Sequence, residues 1–371
     1  MLDADTRSYM VFCLTLGVNI LILLRESGVG LQAMTSNMEK EVHSGDTEVD
    51  GTSTLQSNSG FSGLKQIWAI GGGKGGVGKT LVTANFAITL ARAGAKVTLV
   101  DLDLGGANLH TCLGIDHIDK TLTDLFSPNV KSLQELTIPT SIPNLSLIAG
   151  AQDSLNVANL PHAQKMKLIQ KLRQLPADYV LLDLGAGTSY NTLDFFLESD
   201  VGILVVLPEP TSIENAYRFI KAAFYRKLKN IEYAFDARSF IDSTMNRKNE
   251  LGIRTPADLL RALEEQYPEI GAKIRTAVNR FEIKLVLNQS RTETDSEIGY
   301  GVRNVCRKYF GFNLNYLGHL EYDSAVWQSV RKKKPLATEF PTCSLVPTMQ
   351  KMVGQIVMEQ TDKLKKLELG L

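Results

Sequence analysis

The chain has 371 residues, which is room for one large α/β domain with added segments or for two ordinary domains. Its 40 basic residues balance 40 acidic ones, so the net charge does not demand a polyanionic partner. The four cysteines are far apart and include no C-x-x-C pair, and the five histidines show no H-E-x-x-H spacing. These patterns argue against zinc, iron–sulfur and histidine-bound metal sites and favour a reduced, cytoplasmic setting.

Residues 1–63 are predicted to form an N-terminal apolar segment and a linker. The apolar run at 10–24 would be about 22 Å long as a helix, shorter than the roughly 30 Å hydrocarbon core of a bilayer. Three interpretations are open: a membrane-associating N-terminus, a short buried helix, or an upstream extension of the gene model, with Met34 or Met38 as the real start. We favour the last. Residues 35–63 are rich in Ser, Thr, Gly and acids, which predicts a flexible linker before a domain that begins near Leu64.

The body of the chain alternates short apolar runs with helical stretches. This pattern is typical of a doubly wound α/β fold with a mostly parallel sheet covered on both faces. Ligands of such sheets bind beyond the carboxyl ends of the strands. The predicted strands are 66–71, 96–101, 145–150, 178–184, 201–207, 283–288 and 314–320.

Residues 70–80, IGGGKGGVGKT, fit two nucleotide-binding motifs. Read as G-x-G-x-x-G from Gly73, with Asp101 downstream, they match a dinucleotide fingerprint. Read as G-x-x-x-x-G-K-T, they form a P-loop that ends in Lys79 and Thr80. A dinucleotide site has no use for the Lys-Thr pair, so the P-loop interpretation is favoured.

A P-loop at this position predicts the groups that bind ATP and Mg²⁺. Lys79 would neutralise the β- and γ-phosphates, and the Thr80 hydroxyl would bind Mg²⁺. Asp183 ends the apolar strand DYVLLDL and would hold the metal from the opposite side, as in a Walker B strand; its structural alternative is a helix N-cap. The predicted backbone cradle for the phosphates is made by Gly73, Gly75, Gly76, Val77, Gly78, Lys79 and Thr80.

A second lysine, Lys74, lies just after the first glycine of the P-loop. With this lysine the sequence resembles the deviant Walker A ATPases of the MinD/ParA (SIMIBI) group. The likeness covers roughly residues 65–345, and the PEPTS and VRKKKPL segments look most like the MinD and FlhG (FleN) branch. It implies a P-loop NTPase fold in which Lys74 crosses a dimer interface to the partner's nucleotide.

The resemblance also implies roles for residues outside the P-loop. Asp103, in VDLDLGGANL, would orient the attacking water and lie near the Mg²⁺ shell, with Asp101 supporting it. Asn288, in LVLNQ, matches the asparagine that contacts adenine. The expected catalytic residues are thus Lys74, Lys79 and Asp103, and the expected metal-binding residues are Thr80, Asp103 and Asp183.

The function implied is an ATP-hydrolysing switch that is a homodimer in the ATP state. It would regulate the placement or number of a cellular structure, such as flagella or the division site, with a protein activator or cargo as its further partner. Two alternatives stay open: an ATP-dependent biosynthetic ligase of the same fold, and a ParA-like DNA partition ATPase. DNA binding by the basic run 331–334 is disfavoured against a solvated turn.

Two segments depart from a compact family member. An insertion near 222–280 reads as helical, with Thr255 as N-cap and Pro256 at N1 of a helix over 255–267, and its apolar stripe would either pack on its own domain or bind a partner. The ATPase domain is expected to span 64–346. The tail, 347–371, predicts a helix that either packs on the domain or binds the inner face of the cell membrane.

Overall fold

The computed structural model describes residues 65–103, 106–126, 130–150 and 161–368. The N-terminal segment and linker predicted for 1–63 lie outside the described residues. The predicted start of the domain near Leu64 is next to Lys65, the first described residue, and the first strand begins at Gln66.

An eight-stranded sheet forms the centre of the described part of the chain, in the order β3-β4-β2-β5-β1-β6-β7-β8. All neighbouring strands are parallel except β3 and β4, which are antiparallel. The doubly wound α/β fold is therefore confirmed, with only the two-residue β3 unpredicted. The strands are β1 (Gln66–Gly71), β2 (Val97–Leu102), β3 (Ile138–Pro139), β4 (Leu145–Ile148), β5 (Tyr179–Leu184), β6 (Val201–Val206), β7 (Ile283–Ser290) and β8 (Leu314–Glu321).

Helices cover both faces of the sheet, as the continuous apolar strands require. In chain order they are α1 (Lys79–Arg92), α2 (Leu109–Cys112), α3 (His162–Gln174), α4 (Tyr190–Glu198), α5 (Pro210–Ala234), α6 (Arg238–Asn246), α7 (Pro256–Gln266), α8 (Pro268–Asn279), α9 (Glu293–Val305), α10 (Ser324–Arg331), α11 (Leu336–Glu339) and α12 (Leu345–Glu368). Short 3₁₀ turns at Leu122–Phe126 and Leu133–Leu136 precede β3, and a π turn at Cys306–Phe310 follows α9.

The helix after the P-loop, α1, is buried almost all round. Its sequence predicts one apolar face, but every residue from Val82 to Ala91 is buried. The reason is that α12 packs over the outer side of α1. Polar side chains on α1 stay satisfied because Thr83 and Thr89 each donate a hydrogen bond to the carbonyl four residues earlier.

The predicted insertion is helical and packs on its own domain. Thr255 caps α7 by accepting from the Asp258 N–H, and the Asp258 carboxylate bonds back to the Thr255 N–H at 2.9 Å. The stripe of α7, with Leu259 and Leu263, is buried in one cluster with residues of α5, α8, β7 and the π turn. This face is thus used inside the domain and is not offered to a partner.

The C-terminal helix α12 also belongs to the folded domain. Met349, Met352, Val353 and Ile356 are at most 2% exposed and join the core cluster that surrounds α1. Further along the helix, Glu359 forms an ion pair with the buried Lys284 of β7. Packing on the domain, one of the two interpretations of the tail, therefore accounts for this apolar face.

Within the described residues, none of the helices combines the length and the hydropathy that crossing a membrane requires. The apolar run at 10–24 lies outside the described residues.

Candidate nucleotide site

The P-loop connects the carboxyl end of β1 to the first residue of α1, Lys79. Gly76 and Gly78 have φ values of 77° and 94°, a backbone conformation that glycine adopts without steric cost. No side chain caps the N-terminus of α1, and no acidic residue lies in its first turn. Its free N–H groups and positive dipole end therefore suit an anion.

The buried Lys79 is the second feature that suits an anion. The residue is 7% exposed, and within the described residues its ammonium makes no direct ion pair or hydrogen bond; its charge acts on the neighbouring Asp183, where it opposes the rise in pKa. A buried ammonium is costly unless an opposite charge compensates it. Phosphate groups at the end of α1 would supply that charge.

Close packing explains the other glycines of the loop. A Cβ on Gly73 would lie 2.2 Å from the backbone oxygen of Asn215 in α5, so no side chain fits there. The carbonyl of Gly72 accepts a hydrogen bond of 3.0 Å from the N–H of Gly187, in the loop after β5. The P-loop thus lies directly against α5 and against the loop that follows Asp183.

Two carboxylates, Asp101 and Asp183, lie side by side at the carboxyl ends of β2 and β5. Each is 1% exposed. Burial, and then repulsion from Asp101, raise the pKa of Asp183 to about 7, although the hydroxyls of Thr80 and Thr83 donate hydrogen bonds to its carboxylate. Burial likewise raises the pKa of Asp101 to about 6, against hydrogen bonds from the N–H groups of Leu109 and Asp103.

These groups fit Mg²⁺. The ion prefers oxygen ligands, and the Thr80 hydroxyl and the Asp183 carboxylate are adjacent beside Lys79. Two neighbouring buried carboxylates repel each other, so a cation would relieve the repulsion. Thr80 and Asp183 are the residues that would hold it, with Asp101 behind them.

Asp103 extends from the end of β2 toward the loop after β5. Its carboxylate is half-exposed and lies so near Gly185 that a Cβ there would be 3.3 Å from Asp103 Oδ1. The structure therefore brings Asp103 beside the loop after β5, the loop whose Gly187 N–H donates to the P-loop. Its action on a water at the phosphates stays a prediction.

Comparisons with known proteins find similarity to P-loop NTPases. A family model described as "ParA: NUBPL iron-transfer P-loop NTPase" matches residues 63–231. A protein of Chlorella vulgaris described as a septum site-determining protein MinD is 27% identical over 266 residues, covering 70% of this chain and 89% of that protein. The antiactivator FleN of Pseudomonas aeruginosa is 35% identical over 159 residues, covering 42% of this chain and 55% of FleN, little more than half its length.

Among solved structures, the MinD of Pyrococcus horikoshii in complex with Mg-ADP aligns with a TM-score of 0.54 and 22% identity, covering 82% of this chain and 98% of that one. This likeness confirms the fold. The chain is thus similar to P-loop NTPases of the ParA/MinD family, above all over the region that holds the P-loop.

Lys74, the second lysine of the P-loop, lies apart from the buried Lys79. Its ammonium is exposed at the surface, 3.7 Å from a carboxylate oxygen of Glu209 and 3.4 Å from the Thr211 hydroxyl at the start of α5. A surface pair at this distance is weak, so the lysine is available for another anion. Its proposed contact with a partner's nucleotide stays a prediction.

The last predicted site residue, Asn288, is 3% exposed at the end of β7. Its amide nitrogen donates to the carbonyl of Val77 in the P-loop at 2.8 Å. The structure thus brings Asn288 to the site, in contact with the P-loop backbone. Its contact with adenine also stays a prediction.

Two features that support the site were not predicted from the sequence. Thr83 shares Asp183 with Thr80, and the only sequence signal is its position one helical turn after Lys79. The second is an ion-pair cluster in which Lys165 of α3 and Arg226 of α5 both bind Asp194 of α4. No local pattern reveals that cluster, because its members lie far apart in the chain.

The cluster fixes the helix that follows the Asp183 loop. Ser189 caps α4 by accepting from the Thr192 N–H at 3.2 Å. One turn later, hydrogen bonds from Arg226 and Lys165 outweigh burial and hold the pKa of Asp194 below its usual range. The loop between Asp183 and α4 therefore spans two fixed ends, the sheet and a helix tied to its neighbours.

Proposed function

We propose that the chain is an Mg²⁺-dependent ATPase that switches from a monomer to a homodimer when it binds ATP. The observation that supports this most is the buried Lys79, which makes no direct ion pair or hydrogen bond among the described residues, at the uncapped N-terminus of α1. Thr80 and Asp183 add an oxygen donor set for the metal on the same side.

Each residue would have a separate task in hydrolysis. The N–H groups of the loop and Lys79 would hold the phosphates, and the bound Mg²⁺ would neutralise charge on the β- and γ-oxygens. Asp103 would orient a water in line with the γ-phosphate. Lys74, at the surface, would complete the partner subunit's site, so that hydrolysis requires the dimer.

The cellular role we propose is regulation of the position or number of a structure, because the relatives are described as a septum site-determining protein and an antiactivator. The partner would be a protein activator or cargo. The iron transfer named in the family model's description is not part of the proposal, because the sequence holds no C-x-x-C pair to carry iron.

DNA binding is also left out of the proposal. The turn after α10 uses its lysines internally: Lys332 and Lys334 lie 2.7 and 3.2 Å from the carboxylate of Glu339, and Lys333 lies 3.3 Å from that of Asp116. These pairs compete with phosphate groups for the same ammonium groups. The place proposed is the cytoplasm, with any contact to the inner face of the membrane limited to the last turns of the tail.

The test is the molecular mass of the full chain in solution with Mg-ADP and with Mg-ATP, using Asp103→Ala so that ATP persists. We expect a monomer with ADP and a dimer with ATP, and a monomer in both for Lys74→Ala with Asp103→Ala. A mass that does not change would refute the switch. ATP turnover only in the presence of a small-molecule co-substrate would favour the ligase.

A further inference from the structure

The side-chain amide of Asn288 has one backbone partner at each of its two ends. The nitrogen donates to the Val77 carbonyl at 2.8 Å, and the oxygen accepts from the N–H of Gln289 at 3.0 Å. The residue is 3% exposed, so solvent does not compete for these bonds. Both ends of the amide are therefore fixed, and the end that faces the P-loop is a donor.

The contact with Val77 sets the direction of the next peptide group. In a planar trans peptide the C=O and N–H point to opposite sides. Holding the Val77 carbonyl toward β7 therefore turns the Gly78 N–H away from β7. Only glycine fits at 78, because a Cβ there would lie 2.2 Å from the Asn288 nitrogen.

The end of β7 is shaped to present this side chain. Gln289 has a φ of 59°, which is costly for a residue with a side chain, and the register between β7 and β8 shifts between Asn288 and Ser290. Unfavourable backbone of this kind persists where surrounding contacts impose it. Here one contact that favours this backbone is the hydrogen bond from the Gln289 N–H back to the Asn288 amide oxygen.

We infer that Asn288 is a positioning residue for the phosphate-binding loop: it acts on the phosphates through the Val77–Gly78 peptide. The inference rests on the proposed nucleotide function. It departs from the adenine contact that the family resemblance implies, and the two roles predict different responses to a change of ligand.

The experiment measures the affinity of wild type and Asn288→Ala for Mg-ATP, Mg-GTP and Mg-tripolyphosphate, which has no base. Loss of the bond leaves the Val77 carbonyl buried without its donor and the loop free to turn. We expect binding of all three ligands to weaken by the same factor, about ten- to a hundredfold. If Asn288 acted only through a contact with adenine, the substitution would weaken the binding of ATP alone.

Two further variants keep the test decisive. Ser290→Ala, on the same strand end, removes a buried side-chain bond to Leu320 that does not involve the P-loop, and we expect unchanged affinities. If Asn288→Ala does not fold, Asn288→Leu keeps the volume while removing the donor. A loss confined to ATP, or no loss, would overturn the inference, whereas a wild-type chain that binds none of the ligands would refute the proposed function instead.

Discussion

The adjacent buried carboxylates make the stability of the nucleotide-free protein depend on pH. Asp183 has its pKa raised to about 7, so the folded state keeps a proton that the unfolded chain, with a carboxyl pKa of 3.8, has already lost. The contribution of this carboxyl to the free energy of unfolding is fully present below pH 3.8 and is lost as the pH rises through 7. Between pH 5 and pH 8 the loss is about 3 kcal/mol.

Asp183→Asn removes this titration, because an amide is neutral at every pH and ends the repulsion on Asp101. We expect the free energy of unfolding of wild type to fall by about 3 kcal/mol more than that of the variant between pH 5 and pH 8. The assay is urea unfolding without Mg²⁺ and nucleotide at several pH values, followed by the fluorescence of the fully buried Trp68. Far-UV circular dichroism gives a second probe.

Asp323→Asn is the matched control. The Ala325 N–H and the Cys343 thiol donate to Asp323 and lower its pKa, so its titration lies below this range of pH. Its stability curve should run parallel to that of wild type between pH 5 and pH 8. Parallel curves for wild type and Asp183→Asn would refute the reasoning, because they would show that Asp183 is ionised in the folded protein throughout.

Three further substitutions test the site and the packing. Lys79→Ala should weaken Mg-ATP binding by about a hundredfold or more in a titration calorimeter, because it removes the charge that meets the phosphates. Asp194→Ala should lower the free energy of unfolding by about 3–5 kcal/mol, since it leaves the buried Lys165 uncompensated, whereas Arg238→Ala, at an exposed pair, should cost below about 1 kcal/mol. Leu263→Ala should cost about 2–5 kcal/mol if α7 is part of the core, and a near-zero change in urea unfolding would contradict that packing.

Much of the fold follows from local sequence. Each predicted strand was found within one or two residues of its predicted ends, because continuous apolar runs bounded by glycine or charge have few other uses in a chain of this class. Thr255 and Pro256 placed the start of α7 correctly since capping is a local interaction. The burial of α1 on all sides was not predictable, because α12, which covers it, lies some 250 residues later.

In the site, too, local features could be predicted and long-range contacts could not. The P-loop and Asp183 could be predicted because phosphate binding needs a contiguous loop and a strand end, and both leave a pattern in the sequence. Contacts between distant segments left no pattern in the sequence. The pairing of Gly73 with α5, the hydrogen bond from Asn288 to Val77 and the cluster at Asp194 depend on which helices and strands become neighbours.

These long-range contacts connect the nucleotide site to the rest of the domain. The P-loop lies against α5 at Gly73 and receives a hydrogen bond from the loop after β5 at Gly72. That loop leads into α4, which the Asp194 cluster ties back to α5. A shift of the loop after β5 on binding or release of a γ-phosphate would therefore strain α4 and α5 together. Since Lys74 of the P-loop contacts Glu209 and Thr211 at the start of α5, such a shift would also reach the surface proposed to meet the partner subunit.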